Sequence, residues 1–211
     1  MKKFAVVLYP HYSLQEITCI TATLAIWFNE KIDYIASENS YYLTEEGLPT
    51  YPTKLIQEIE ITDYDCIIIP GSTNPLSGLF DDTLIEFLSK GKGGPTVFAA
   101  ISSAPLLLGK AGLLEGKRYT GGLFMQQIAF FDFMEKETFT HEPVETDERL
   151  ITGIGMYYQE FAEAVLRYMN YPIDESFLKP NLKYPTKEQL VFHYTEEEYR
   201  EFLDEISQYQ K

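Results

Sequence analysis

Short, continuous apolar runs alternate along this chain with longer segments whose apolar positions recur at helical spacing. The first run, Phe4 to Tyr9, carries no polar residue and predicts a strand buried on both faces. Residues 14–29 have apolar side chains at mixed helical spacing and predict a first helix. Ile32 to Ser37 predicts a second strand, and Tyr51 to Leu55 a short extended piece. Asp65-Cys66-Ile67-Ile68-Ile69-Pro70-Gly71 is a β-branched run stopped by Pro-Gly, the pattern of a central strand ending in a tight loop. Asp81 to Lys90 predicts a helix with Asp81, Asp82 and Thr83 near its start. Pro95 to Ile101 predicts the next strand, Ala104 to Leu113 the next helix, and Arg118 to Gly121 another short extended piece. An irregular, Phe-rich region follows, Gly122 to Glu142. Leu150 to Gly155 then predicts a strand with a glycine-rich exit, and Gln159 to Met169 a helix. Strands alternating with helices specify an α/β domain with a central parallel sheet covered on both faces. Sites in such sheets lie at the carboxyl ends of the strands.

Past residue 170 the pattern changes. Pro172, Pro180 and Pro185 make Tyr171 to Pro185 irregular. Thr186-Lys187-Glu188-Gln189 reads as a helix start. Thr195-Glu196-Glu197-Glu198 reads as another, with Tyr199, Phe202, Leu203 and Ile206 on one face. The expected organisation is one domain over residues 1–170 and a short helical C-terminal extension over 171–211, packing on that domain or on a partner subunit.

The candidate chemistry sits at residues 97–105, Val-Phe-Ala-Ala-Ile-Ser-Ser-Ala-Pro. An apolar run ends at Ile101, small residues follow at once, and Pro105 opens a helix-compatible segment. A buried strand that turns sharply into a helix through small residues is the layout of a nucleophile elbow. Such a turn lifts one side chain above the sheet, at the positive end of the helix. Here that residue is Ser102.

Composition narrows the partners. The 211 residues carry a formal net charge of −15, with a pI of about 4.6. That argues against nucleic acid or an anionic membrane as a partner, since both need a basic footprint. No apolar stretch reaches the length of a membrane span. The start, Met1-Lys2-Lys3 followed by Phe4 to Leu8, is too short in its apolar run for a signal peptide. Cys19 and Cys66 form neither a disulfide framework nor a metal site, and read as reduced core residues of a cytoplasmic protein. Three scattered histidines give no metal-ligand spacing, and Gly153-Ile154-Gly155 lacks the third glycine of a dinucleotide loop. No metal and no cofactor is expected.

Several segments, in order, resemble the ThiJ/PfpI superfamily, which has a class I glutamine amidotransferase-like, flavodoxin-like fold. Tyr9-Pro10-His11-Tyr12-Ser13-Leu14-Gln15-Glu16 resembles the family's first loop, which ends in an acidic residue. Tyr64-Asp65-Cys66-Ile67-Ile68-Ile69-Pro70-Gly71-Ser72 resembles its "YDvlvlPGG" segment. Ala99-Ala100-Ile101-Ser102-Ser103-Ala104-Pro105 resembles its "AAIChGP" elbow. The stretch Ala111 to Thr120 resembles the "aGLLkGrkvT" segment, and Leu150 to Gly153 the late "liTg" strand. Coverage is roughly residues 3–169. The resemblance implies a flavodoxin-like three-layer sandwich, a homodimer, and a pocket around the elbow. It maps the family's cysteine nucleophile onto Ser102 and its acid onto Glu16. The second glycine of Pro-Gly-Gly maps onto Ser72. The histidine of many members falls at Gly121 or Gly122, and neither His141 nor His193 matches it.

A serine hydroxyl needs a general base, usually a histidine held by a carboxylate. Glu16 alone is a weak base for an alcohol, since each mismatched pKa unit costs about 1.4 kcal/mol. The leading expectation is therefore a family member without cysteine chemistry, binding a small polar or carbonyl ligand, or a partner, at the elbow. Backbone N–H groups around Gly71, Ser72 and Ser103 would form an anion or oxyanion site there. One alternative is a serine-dependent hydrolase, amidohydrolase or glyoxalase-type enzyme using Ser102, with Glu16 or His11 as base. Another is a non-catalytic regulatory or dimerisation module. Glu16 reads either as a pocket acid or as a surface carboxylate at a helix start. His11 reads either as a ligand-binding residue at the pocket border or as an ordinary loop histidine. Phe124, Phe130, Phe131 and Phe133 read as pocket wall, dimer face or core.

Overall fold

The structure is a computed structural model, and it describes residues 1–174, 177–178 and 186–209. Its main strands are β1 (Phe4–Val7), β2 (Ile32–Ala36), β5 (Lys54–Leu55), β6 (Cys66–Ile69), β7 (Val97–Ile101), β8 (Val144–Asp147) and β9 (Leu150–Gly153). They form one sheet in the order β5-β2-β1-β6-β7-β9-β8, and a separate hairpin pairs β3 (Tyr42–Leu43) with β4 (Pro49–Thr50). Between the two edge strands, the second strand in sequence lies beside the first, and the later ones follow on the other side. This is a doubly wound order, with its reversal between β1 and β6. The interior strands pair in parallel: Val6 opposite Ile68, Ile68 opposite Ala99, Ala99 opposite Ile151. Their unbroken apolar runs are buried throughout because helices cover both faces.

The helices are α1 (Gln15–Ala22), α2 (Leu76–Leu79), α3 (Asp82–Ser89), α4 (Pro105–Lys110), α5 (Met125–Phe130) and α6 (Tyr158–Tyr168), with α7 (Glu196–Tyr209) beyond. On one face α1 packs against α6, and on the other α3 packs against α4. The predicted first helix is α1 continued by a π-turn, Thr23–Trp27. Thr21 and Thr23 there donate back to the carbonyls of Ile17 and Cys19. The helix predicted to reach Leu113 ends at Lys110, because Gly112 takes the left-handed conformation, φ 72°, that closes a helix.

Two differences from the sequence expectation matter. The sheet is parallel except at its edge, where β8 pairs antiparallel to β9 through a turn at Glu148 and Arg149. Val144-Glu145-Thr146-Asp147 is short and polar in three of its four positions, so its pattern gives no strand signal. The β3–β4 hairpin was likewise not predicted, and its turn carries Glu45 and Glu46.

The chain divides into two compact units, Met1–Leu178 and Lys179–Lys211. Tyr171 belongs to the first: its ring packs on Phe28, and its hydroxyl donates to Glu30. Much of the predicted irregular stretch, residues 175–176 and 179–185, lies outside the described residues. In the second unit α7 opens with a capping box, Thr195 and Glu198 bonding each other's backbone amides. Among the described residues no helix is long and apolar enough to cross a membrane.

The start of α1 is set from outside the helix. Its own N-cap residue, Leu14, has no side-chain cap. Instead Glu46 reaches from the hairpin turn and accepts the amides of Gln15 (2.8 Å) and Leu14 (3.1 Å). Partial burial of Glu46 opposes ionisation, but these amides, together with its own amide and the Thr44 hydroxyl, outweigh it and hold its carboxyl below the usual glutamate range. A group with a lowered folded-state pKa stabilises above its unfolded value, and that contribution is lost as pH falls through the lower one. Glu46→Ala should therefore cost about 1 kcal/mol at pH 7, the value of a helix cap. Urea unfolding across pH should show the difference from wild type shrinking below the ordinary glutamate value of about 4.3.

Candidate functional site

Three loops meet at the carboxyl ends of β1, β6 and β7, beside the reversal of strand order. The first two are stitched together. The buried hydroxyl of Tyr9 donates to the Pro70 carbonyl at 2.6 Å, and burial pushes its own pKa well up, so it stays a donor. Tyr12 bridges to Ser72, and the Ser13 amide donates to the Gly71 carbonyl at 2.8 Å. This fixes the first turn of α1 against the Pro70-Gly71 loop. Glu16, in that turn, accepts the Gly71 amide at 2.7 Å.

Ser102 follows β7 directly. Its φ is 61°, a left-handed conformation that costs a non-glycine residue on the order of 1 kcal/mol. Neighbours hold it from both sides. Its amide donates to the Gly153 carbonyl at 2.7 Å, and its carbonyl accepts the Gly122 amide at 2.8 Å. The turn presents the Ser102 hydroxyl beside the Glu16 carboxyl, where it favours the ionised form.

Two glycines make this approach possible. A Cβ on Gly71 would stand 2.5 Å from the Ser102 Cβ and 2.7 Å from Glu16 Oε2. One on Gly155 would stand 2.5 Å from Glu16 Oε1 and 3.1 Å from Ser102 Oγ. Bare backbone therefore flanks the carboxyl on two sides. Burial is the main cause that pushes the Glu16 carboxyl up to about 7. The charges of Glu45 and Glu46 add to the rise, while the Ser102 hydroxyl and the Gly71 amide oppose it. Near neutral pH this group is poised between a proton donor and a proton acceptor.

The cleft has a volume of about 350 Å³ and is lined by Glu16, Glu45, Ser72, Thr73, Pro75, Ser102, Ser103, Gly122, Phe124 and Gln127. Ser102, Glu16, Ser72 and Ser103 thus come together, with Gly71 against them. His11 does not join them: it is exposed, sits at φ 60° with its amide on the Leu43 carbonyl, and is not a lining residue. Two of the three expected backbone donors are already engaged. The Gly71 amide serves Glu16, and the Ser72 amide donates to Ser103 Oγ at 2.9 Å. Ser103 Oγ in turn donates to the Ser72 carbonyl at 2.8 Å, so this hydroxyl is spent on tying the two loops.

Sequence reasoning missed Glu45, Thr73, Pro75 and Gln127 as cleft residues, whereas pocket wall was among the readings of Phe124. Gly155 reads in the sequence only as part of a glycine-rich strand exit. Phe124 lines the mouth, whereas Phe131 and Phe133 stack on each other against the core and Phe130 is exposed. A second cavity, about 320 Å³, opens away from this site among Lys92, Glu115, Lys117, Glu148 and Arg149. Among the described residues no group of three His, Cys, Asp or Glu side chains is placed to hold a metal ion.

Comparison with known proteins agrees with this layout. A DJ-1 superfamily protein from Agrobacterium tumefaciens superposes with a TM-score of 0.76 at 20% identity, covering 84% of this chain and 96% of that one. A ThiJ/PfpI family protein from Bacillus anthracis gives 0.73 at 21% identity, covering 82% and 85%. At these identities the likeness is one of fold. The DJ-1 protein homolog E of Arabidopsis thaliana is 33% identical over 82 residues, which are 39% of this chain and 21% of that protein's length. Residues 2–168 match the DJ-1/PfpI family, and the chain belongs to it.

Proposed function

We propose that this chain binds a small polar or carbonyl ligand non-covalently in the cleft at Ser102, and that the cysteine chemistry of its relatives is absent. Ser102 stands where the family resemblance places a cysteine. The observation that carries the reading is the set of groups around it. Its hydroxyl faces one titratable partner, Glu16, and no histidine lines the cleft among the described residues. Raised to about 7, the carboxyl is matched in pKa to base work, but the histidine–carboxylate pair that activates a serine hydroxyl does not accompany it among the described residues of the cleft. The same carboxyl, with the hydroxyl beside it, suits hydrogen bonding to a carbonyl or amide in either direction. The Ser103 amide, next along the elbow, is the donor of the expected set that serves neither Glu16 nor Ser103 Oγ.

The position of the missing histidine is also consistent. A Cβ on Gly122 would stand 3.3 Å from Ser102 Oγ, so a side chain at 122 would border the hydroxyl directly. Glycine leaves that space open to a ligand.

An electrophilic fluorophosphonate tests the reading. Mass spectrometry should show no adduct at Ser102 after incubation at pH 7 to 8, conditions under which activated serines react. Stoichiometric labelling of Ser102 would establish the serine-dependent hydrolase instead.

The geometry itself is tested by Ser102→Cys. A protonated Glu16 can donate to a thiolate at 102, so the new thiol should titrate at least about one unit below the free-cysteine value of 8.5. Iodoacetamide should then alkylate it at pH 7 roughly tenfold faster than a peptide cysteine. Adding Gly155→Ala, whose methyl collides with Glu16 Oε1, should return the thiol to ordinary reactivity with circular dichroism unchanged. A Ser102→Cys thiol no faster than a peptide cysteine would show that Glu16 is not arranged around position 102.

A further inference from the structure

The cleft's charge is one-sided. Its ionisable lining residues are Glu16 and Glu45, and no Lys, Arg or His lines it among the described residues. Glu45 is exposed, but backbone hydrogen bonds hold its position. It lies in the turn Thr44-Glu45-Glu46-Gly47, which Gly47 closes at φ 88°. Its amide donates to the Tyr12 carbonyl at 3.1 Å, and its Oε2 accepts the Thr73 amide at 3.0 Å. Glu46 beside it is pinned to the start of α1. The hairpin thus holds a fixed negative charge at the cleft wall. Phe124, another lining residue, is 71% exposed, so a large part of its ring is open to a ligand.

We propose that the cleft selects a ligand with a protonated amine beside its carbonyl, the amine lying against Glu45 and Phe124 and the carbonyl at Ser102. This rests on the reading that the cleft binds a carbonyl ligand. A cation gains the Glu45 charge and the aromatic face, two attractions that a neutral ligand lacks. An anion meets like charge with no cation to receive it. The ligand's positive charge also offsets the repulsion that Glu45 and Glu46 exert on Glu16, so binding and ionisation of Glu16 favour each other.

Three probes of one skeleton test this: L-phenylalaninamide, the uncharged 3-phenylpropanamide, and the anion of 2-benzylmalonamic acid. Isothermal titration at low salt should give the amine an affinity about tenfold above that of the neutral amide, with no binding of the anion. Raising the salt should erode the amine's advantage and leave the neutral amide unchanged. Glu45→Gln should bring the amine to within about twofold of the neutral amide, the two compared in the same variant. Equal binding of amine and neutral amide, an advantage that survives Glu45→Gln, or no binding of any probe would overturn the proposal. Backbone amide chemical shifts separate its failure from that of the cleft reading. Equal binding with shifts at Ser103 and Gly122 removes only the selectivity. Binding that leaves those two amides unmoved removes the cleft as the ligand site.

Discussion

The site depends on a carboxyl placed where only bare backbone leaves room for it. Glu16 lies between Gly71 and Gly155, close enough that a methyl group on either would collide with it. That confinement partly desolvates the carboxyl and raises its pKa, and it sets the carboxyl beside the Ser102 hydroxyl. A carboxyl so placed demands support from three loops at once. The Tyr9 hydroxyl on Pro70, the Ser13 amide on Gly71 and the Ser103 hydroxyl on Ser72 supply it. None of these groups faces the ligand as a reacting atom. Each fixes the backbone that does.

The strained turn at Ser102 obeys the same logic. A left-handed serine persists only where its surroundings over-determine it. Here the end of β9 takes its amide and the loop at Gly122 donates to its carbonyl. The fold thus spends sheet order, not local propensity, on presenting one hydroxyl. Where the family resemblance places a cysteine, the same presentation serves, under the proposed function, a different end: a hydroxyl and a carboxyl of raised pKa side by side as a hydrogen-bonding pair.

Much of this was legible in the sequence. The continuous apolar runs at Phe4, Cys66 and Val97 specify buried parallel strands, because no half-exposed sheet tolerates them. Ile101-Ser102-Ser103 specifies the elbow by size alone. Glu16 was legible only through the ordered resemblance, since a lone glutamate at a helix start has no pattern of its own. The hairpin that carries Glu45 and Glu46 was not legible: its strands are two residues each, too short for any periodicity. Its contribution comes through long-range contacts with Thr73 and α1, which no local window contains. The engagement of the Ser72 amide was hidden for the same reason, as it depends on a serine from a different strand loop. Gly155 read as a turn because a glycine required by a distant side chain looks like any other at a strand exit.

The site turns on the state of one carboxyl, and that state can be read directly. Isotope-edited infrared or carbon-13 spectra, comparing wild type with Glu16→Gln, isolate the Glu16 carboxyl across pH. Its protonation midpoint should fall at about 7 in the native protein. A midpoint near the ordinary glutamate value of about 4.3 would mean that the carboxyl is solvated and not packed between Gly71 and Gly155 against Ser102.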